Sequence, residues 1–414
     1  MEVLHISCIS SPREFQRICA VQENGGKLSG GTKFHNLIRE GLCAWPDVHV
    51  CALVGRAVDV QIRKGVIWKR REERVSERLE YDHLGFINLP VVKQLEIGIK
   101  LFFHILKWSR QTKGQARAVY VDGAWVTALP FVMLAKTIGR CPAVGFFCDI
   151  YDYMAHVKGY NDKEHTSLSH RIMRWSSQSC YSHLDGFVLM TEAMSEVVNK
   201  KRRPFIVMEG SVDARIGTQP SHTGSKVQKA PGQVVMYAGG LFRQYGLKNL
   251  VDGFMAYQND EARLWIFGSG DYSDDIRQAS EKDPRIEYGG VIPLHEAERK
   301  EQEASLLINP RPAAQEFAKY SYPCKNLEYM ASGTPLLTTK LPGMPKECYD
   351  YVYMLDADTP EAITSALEKI FARPKDELQQ KGEAARDLML REKNNVAQAG
   401  RILKLLEGIA RTHG

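Results

Sequence analysis

Short apolar runs recur along this chain, each followed by a stretch whose apolar residues fall at helical spacing. In the first half, VLHIS (3–7), DVHVCALV (47–54), RAVYVD (117–122), PAVGFFCD (142–149) and PFIVMEG (204–210) are β-rich and almost unbroken in apolar character. Between them lie the helical patterns FHNLIREGL (34–42) and TALPFVMLAKTIG (127–139), and DGFVLMTEAMSEVV (185–198) supplies a further strand and helix. The second half repeats the alternation more cleanly. QVVMYAGG, ARLWIFGSG, RIEYGG, SLLINP, PLLTT and YVYML read as strands, with GLKNLVDGFMAY and YSDDIRQAS as helices between them. Three helical patterns starting at Pro360, Lys375 and Asn394 close the chain. Uninterrupted apolar strands are buried on both faces, and parallel neighbours need helical crossovers. The expected fold class is therefore α/β, with doubly wound parallel sheets. At 414 residues the chain exceeds one ordinary core. The polar, Gly/Pro/Ser-bearing segment 211–231 is the expected linker, between a domain over 1–210 and another over 232–392, with 393–414 a terminal helix.

Residues 316–347 concentrate the candidate chemistry. EFAKYSYPCKNLEYMASGTPLLTT reads as loop, short helix, tight turn and buried strand. Pro323 suits the first helical position, where it costs no hydrogen bond, and the amides of Cys324 and Lys325 follow it. A helix start favours anions. Lys325 adds a full charge, and Glu328 lies one turn on along the same face, where a carboxylate suits the two hydroxyls of a ribose. Phosphate and ribose together make a nucleotide. The competing reading is a surface ion pair between Lys325 and Glu328, worth about 0.2–0.5 kcal/mol, with Gly333 a plain helix stop. In the first half, Gly30 and Gly31 close the loop NGGKLSGGT and allow close backbone approach to a ligand, or serve as a flexible connection. Asp149 ends a strand, where α/β folds keep their sites, with Asp152 a weaker candidate beside it; the plain alternative is a cap.

The run LEYMASGTPLLTT, with KYSYPCK before it, resembles the donor-site signature of GT-B glycosyltransferases of the large family four (glycosyl transferases group 1). That resemblance implies two Rossmann-like domains facing a central cleft, the second binding a nucleotide-diphosphate sugar and the first an acceptor. Glu328 matches the Glu that holds the ribose in that family. The family's other Glu, eight residues earlier, is Tyr320 here, and the nearest acid is Glu316. YAGGLFRQYGLKNLVDGF is similar to the family's first donor-domain turn, with Gly240 and Tyr245 where an Arg and a Lys usually face the diphosphate. Arg243 is the expected substitute, and Lys248 is expected on a solvated helix face. On the acceptor side the resemblance places Gly30 and Gly31, and Asp149 stands near the family's His. The activity implied is transfer of a hexose-type sugar to a saccharide or lipid-linked saccharide, in bacterial surface polysaccharide synthesis. It implies retention at the anomeric carbon, no metal and no cofactor. Glu316 and Asp149 are then the catalytic candidates. Two alternatives stay open: a sugar-nucleotide epimerase of the same fold, or a non-catalytic partner of another transferase.

Charge changes the picture for the first half. Residues 1–210 hold 29 Lys and Arg against 21 Asp and Glu, whereas 211–414 hold 26 against 28. The basic half points to anionic lipid or a charged substrate. With no zinc finger, RNP or helix-turn-helix signature, nucleic acid is not an expected partner. Residues 91–113 interleave Leu95, Ile99, Phe102, Phe103, Leu106 and Trp108 with Lys93, Lys100, Lys107, Arg110 and Lys113. That pattern suits a basic helix lying on an anionic membrane, or a core helix with a solvated basic face. Nine scattered Cys without a C-x-x-C pair suit reduced thiols. No signal-peptide pattern opens the chain, and no apolar run approaches the roughly 18–20 residues of a membrane span. A cytoplasmic location is expected, with peripheral attachment at the inner face of the plasma membrane. GSGDYS (268–273) lacks the third Gly of a dinucleotide loop, and Asp356 and Asp358 precede a Thr-Pro helix start, so a dehydrogenase and a metal D-x-D are set aside.

Overall fold

The computed structural model describes residues 1–21, 30–59, 66–150, 168–217 and 227–413. It divides into two compact units, Met1–Ser211 with Asn395–Gly414, and Val212–Asn394. Asp152 lies outside the described residues.

The strands of the first unit are β1 (Glu2–Ser7), β2 (His49–Val54), β3 (Ile67–Trp68), β4 (Arg71–Arg74), β5 (Leu79–His83), β6 (Phe86–Ile87), β7 (Arg117–Asp122), β8 (Ala143–Phe147), β9 (Gly186–Leu189) and β10 (Phe205–Val207). Its helices are α1 (Pro12–Val21), α2 (Gly30–Cys43), α3 (Val92–Gln111), α4 (Leu129–Gly139), α5 (Leu168–Tyr181) and α6 (Ala193–Val198). The main sheet runs β10-β9-β8-β7-β1-β2-β5-β4, parallel except for β4. From β1 the chain moves one way to β2, whereas β7, β8 and β9 step the other way. Right-handed crossovers then put α2 on one face and α3, α4 and α5 on the other. Packing agrees: α3 lies against α4 and α4 against α5, while α2 packs on the last helix of the chain. The order reverses between β1 and β7, and their carboxyl ends form the switch point where such folds place ligands. The strand β4 (REER) gave no apolar signal because it is a charged antiparallel edge.

The second unit holds β11 (Gln233–Gly240), β12 (Ala262–Ser269), β13 (Ile286–Gly290), β14 (Leu306–Asn309), β15 (Leu336–Thr339) and β16 (Tyr353–Leu355). Between and after them come α7 (Leu247–Ala256), α8 (Ser273–Lys282), α9 (Leu294–Glu303), α10 (Cys324–Ser332), α11 (Pro360–Phe371) and α12 (Lys375–Glu392). The sheet is wholly parallel in the order β13-β12-β11-β14-β15-β16, so its switch point lies between β11 and β14. One apolar core forms around Leu250, Phe254, Ile266 and Leu367, another around Met236, Leu307, Leu327 and Met389. Pro323 is the cap of α10 rather than its first residue: the ring fixes φ, but a ψ of 113° leaves it extended. Gly333 ends the helix at φ 81°, the left-handed conformation a helix stop requires.

Apart from Ser211, the described parts of the expected linker belong to the second unit. Val212 bridges Asn394, and the Lys229 ammonium donates to Ala304 O and Thr334 Oγ1, both at 2.8 Å. The final helix, α13 (Asn395–Arg411), belongs to the first unit, where Asn395 Nδ2 donates to Leu37 O at 3.1 Å and Gln398 Nε2 to Gly210 O at 2.8 Å. Close approach of α2 and α13 depends on Gly41, since a Cβ there would sit 2.2 Å from Asn395 O. Gly41→Val is expected to cost about 1–3 kcal/mol through overpacking, read as a lower denaturation midpoint; an unchanged midpoint would show that α13 packs elsewhere.

Candidate functional site

Helix α10 begins beside the switch point of the second sheet, held there by buried polar contacts. Strand β11 pairs with β14 only at positions 235 and 236. Two residues further on, where the strands part, the Tyr329 hydroxyl accepts from Ala238 N–H at 2.7 Å and donates to Ala238 C=O at 3.0 Å. A phenol from the helix thus satisfies the backbone that the sheet leaves open. On its other flank, Asn309 Nδ2 donates to Asn326 Oδ1 at 2.6 Å, Asn326 Nδ2 to Thr338 Oγ1 at 3.3 Å, and Thr338 Oγ1 to Asn309 O at 3.0 Å. Asn326 and Thr338 are fully buried, so these bonds act in a low dielectric.

Lys325 and Glu328 are therefore presented by a fixed helix. Their charged atoms are 3.5 Å apart, with each side chain about seven-tenths buried. Lys325 Cε lies 3.6 Å from where a Cβ on Gly239 would be, so the ammonium stem runs along bare strand backbone at the end of β11. Cys324 opens the helix and is half-buried. Tyr320 is buried, at the end of a short 3-10 turn over Glu316–Tyr320; the Glu316 side chain lies outside the described residues.

The turn after β11 takes a different form from the one expected. Arg243 is drawn toward α8: its guanidinium pairs with Asp275 and stacks on Tyr272, and its N–H donates to Asp271 Oδ1 at 2.9 Å. Lys248 pairs with Asp252 on an exposed helix face. The cation over this turn is Arg311, whose guanidinium carbon sits 4.8 Å from the Tyr245 ring centroid. Gly246 (φ 77°) lets the turn meet that segment, since a Cβ would stand 2.1 Å from Pro310 O. Gly240 carries the carbonyl that accepts from the Tyr237 hydroxyl at 2.9 Å. Nothing local in the sequence links Arg311 to this turn: it follows β14 in an N-P-R-P run, 66 residues from the Tyr245 ring it covers. A strand-end Arg between prolines at a switch point was the available signal.

The two motifs set aside above, around Asp358 and Gly270, have structural work. Asp358 accepts from Ala313 N–H at 3.0 Å and Thr339 Oγ1 at 3.3 Å, bracing the segment after Arg311, while the α11 cap is Thr359 alone. Gly270 packs against the Leu241 backbone, where a Cβ would lie 2.1 Å from its O.

Residues 232–373 match the family model described as Glycosyl transferases group 1. Sucrose-phosphate synthase from Thermosynechococcus elongatus aligns with a TM-score of 0.68 at 12% identity, over 100% of both chains. HepE of Anabaena, solved in complex with UDP, aligns with a TM-score of 0.64 at 14% identity, over 99% of this chain and 100% of its own. The lipopolysaccharide outer core galactosyltransferase WaaB aligns with a TM-score of 0.59 at 13% identity, over 99% of each chain. The fold is GT-B. No curated protein sequence matches the chain.

In the first Rossmann-like unit, the carboxyl ends of β1 and β7 carry a buried polar cluster. Gly30 and Gly31 head α2, which inserts the fully buried Arg39. Its guanidinium donates to His5 Nδ1 at 3.2 Å, Ile9 O at 2.9 Å and Ser7 Oγ at 2.6 Å, tying down the segment after β1. Burial, helped by Arg39, depresses His35 to about 3, so it is neutral. Asp122, 4.0 Å from His35, is pushed up to about 6, mainly by burial and further by the charge of Asp149. Asp149 itself is exposed. A cavity of 210 Å³ opens nearby, with Cys8, Arg56, Lys93, Gln94 and Trp125 in its wall. Asp122, Arg39 and Trp125 had no distinctive spacing, and only sheet order gathers them. Among the described residues no group of His, Cys, Asp and Glu has metal-site geometry.

Two outcomes follow from these contacts. Tyr329→Phe leaves Ala238 N–H buried without its acceptor and is expected to cost about 1–3 kcal/mol in chemical denaturation; a loss near zero would show that the hydroxyl does not hold α10. Asp122 has a folded pKa above its unfolded value, so its contribution to stability is lost as pH rises from 3.8 through about 6. Asp122→Asn should therefore raise the melting temperature above that window and leave it unchanged below. An equal shift at both ends would show the carboxyl to be unperturbed.

Proposed function

We propose that this chain is a glycosyltransferase that moves a sugar from a nucleotide-diphosphate sugar to a hydroxyl of a saccharide or lipid-linked saccharide. The observation that carries the reading is Lys325 on the first turn of α10 with Glu328 one turn further on, at the switch point of a group 1 domain. Glu328 takes the ribose hydroxyls, and the start of α10 with Lys325 takes the diphosphate. Arg311 supplies the second cation, in place of Arg243. The chemistry needs stabilisation of a departing diphosphate, and preorganised charge at a helix start supplies it. HepE has been solved with UDP and with UDP-glucose, which supports a uridine diphosphate donor here. Family likeness supports retention, with the proton passing to the donor phosphate and without a metal. Asp149, beside Asp122, belongs to the acceptor side with Gly30 and Gly31, and Glu316 is the remaining candidate for the sugar. The name of WaaB, a lipopolysaccharide outer core galactosyltransferase, supports a surface saccharide as the product, and the reading places the reaction in the cytoplasm at the membrane.

Calorimetry with UDP tests the donor site. A hydrogen bond to a charged group is worth about 1.5–3 kcal/mol, so Glu328→Gln is expected to weaken UDP roughly tenfold to a hundredfold while leaving 2′,3′-dideoxy-UDP unchanged. Arg311→Ala is expected to weaken UDP and spare uridine, and Arg243→Ala to change neither. If Lys325 and Glu328 only pair with each other, Glu328→Gln leaves UDP affinity intact, and the donor site is lost. Release of free sugar or an epimer from the donor without acceptor, seen by chromatography, would favour an epimerase instead.

A further inference from the structure

Helix α3 is apolar on two sides. Ile97, Leu101 and Ile105 are buried, as an ordinary core-facing stripe requires. A second stripe, Leu95, Ile99 and Phe103 at four-residue spacing, stands 50–63% exposed. The neighbouring helices continue it. On α4, Leu134 and Ile138 are both 55% exposed, and on α5 Trp175 is 74% exposed. These three helices pack side by side over one face of the first sheet, so the side chains lie in the outer surface of one layer. Scattered apolar side chains on a surface are ordinary, but a run of them across three adjacent helices marks an interaction site.

Charge selects the partner. The three helices carry seven Lys and Arg and one acid, Glu96, which is committed to Lys100 at 2.6 Å and to the Ile87 N–H at 2.7 Å. From Glu96 to Asp149 the chain has a single acid, Asp122, and it is buried. Lys93, expected on the lipid face, is instead turned inward, donating to Val58 O at 2.5 Å, because its position on the helix faces the sheet. Lys136 is bound to Asp185 at 2.6 Å. Lys107, Arg110, Lys113, Arg140 and Arg171 are exposed around the apolar stripe. A second copy of this chain would set cations against cations. A bilayer with anionic headgroups offers both an apolar boundary and the opposite charge.

We propose that the outer face of α3, α4 and α5 is a docking surface for anionic membrane lipid, with Leu95, Phe103 and Trp175 entering the headgroup boundary and the surrounding cations holding phosphates. This deepens the membrane part of the reading above and does not depend on sugar transfer. Among the described residues no helix is long and apolar enough to cross a membrane, so the attachment is lateral.

Co-sedimentation of the full chain with phosphatidylcholine vesicles, with and without phosphatidylglycerol, tests it at low and high salt. Pelleting is expected only with phosphatidylglycerol and is expected to weaken with salt. Lys107→Ala with Arg110→Ala should lower partitioning about thirtyfold, each cation being worth about fivefold. Leu95→Ser, Phe103→Ser and Trp175→Ser together should abolish pelleting while UDP affinity and melting temperature stay at the parent values. No pelleting at low salt, or equal pelleting of the triple variant, overturns the proposal. So does a dimer in light scattering that the triple variant dissolves, which would assign the face to a second copy. Vesicle binding without UDP binding would remove the donor reading and leave the surface standing.

Discussion

The second unit depends on one phenol. Where β11 and β14 diverge, the sheet leaves Ala238 with an N–H and a C=O pointing at nothing, and the Tyr329 hydroxyl meets both. Parting two strands at a switch point opens a crevice but exposes backbone to a dry interior, a cost the fold must cover. A Tyr on the helix that follows the crevice covers it and locks that helix to the strand in the same stroke. The start of α10, with Lys325 and Glu328, is consequently placed by buried bonds rather than by loop geometry.

The loops around that helix start are braced from the far side. Asp358 lies at the end of the β16 connection, holds the Ala313 amide and Thr339 hydroxyl, and offers its own carbonyl to Asn249 on α7 at 2.6 Å. A carboxylate that takes two donors at a partly buried junction braces the segment that follows Arg311. Gly246, pressed on the Pro310 carbonyl, does the complementary job by removing a side chain. A carboxylate where position must be specified, and bare backbone where two segments must touch, set the form of this turn.

The first unit spends its buried polarity differently. Arg39 gathers the segment after β1, Glu14 pairs with Arg56 at 3.3 Å with both buried, and burial pushes Asp122 up to about 6 beside a neutral His35. Charges removed from water need partners or lose their charge. Both outcomes occur in this unit: Glu14 and Arg56 keep a partner, whereas His35 gives up its charge and the carboxyl of Asp122 is raised to about 6.

Much of the fold was legible in the sequence because parallel strands buried on both faces cannot hide: the inner strands β11, β12, β14 and β15 appear as apolar runs, and Gly333 and Thr359-Pro360 punctuate helices by local chemistry. The edge strand β4, all charge, did not show, since an edge has no burial to record. Lys325 and Glu328 were visible because their relation is one helical turn. Arg311, Asp122 and the outward stripe of α3 were not, for a common reason: each acquires its meaning from neighbours far away in the chain. Tyr245 lies under Arg311, and His35 and Asp149 lie beside Asp122. Helical spacing showed that 91–113 had apolar and basic positions, but not which of them faced out. Local periodicity is written in consecutive residues, whereas sheet order and the choice between two apolar faces are decided only when the elements pack.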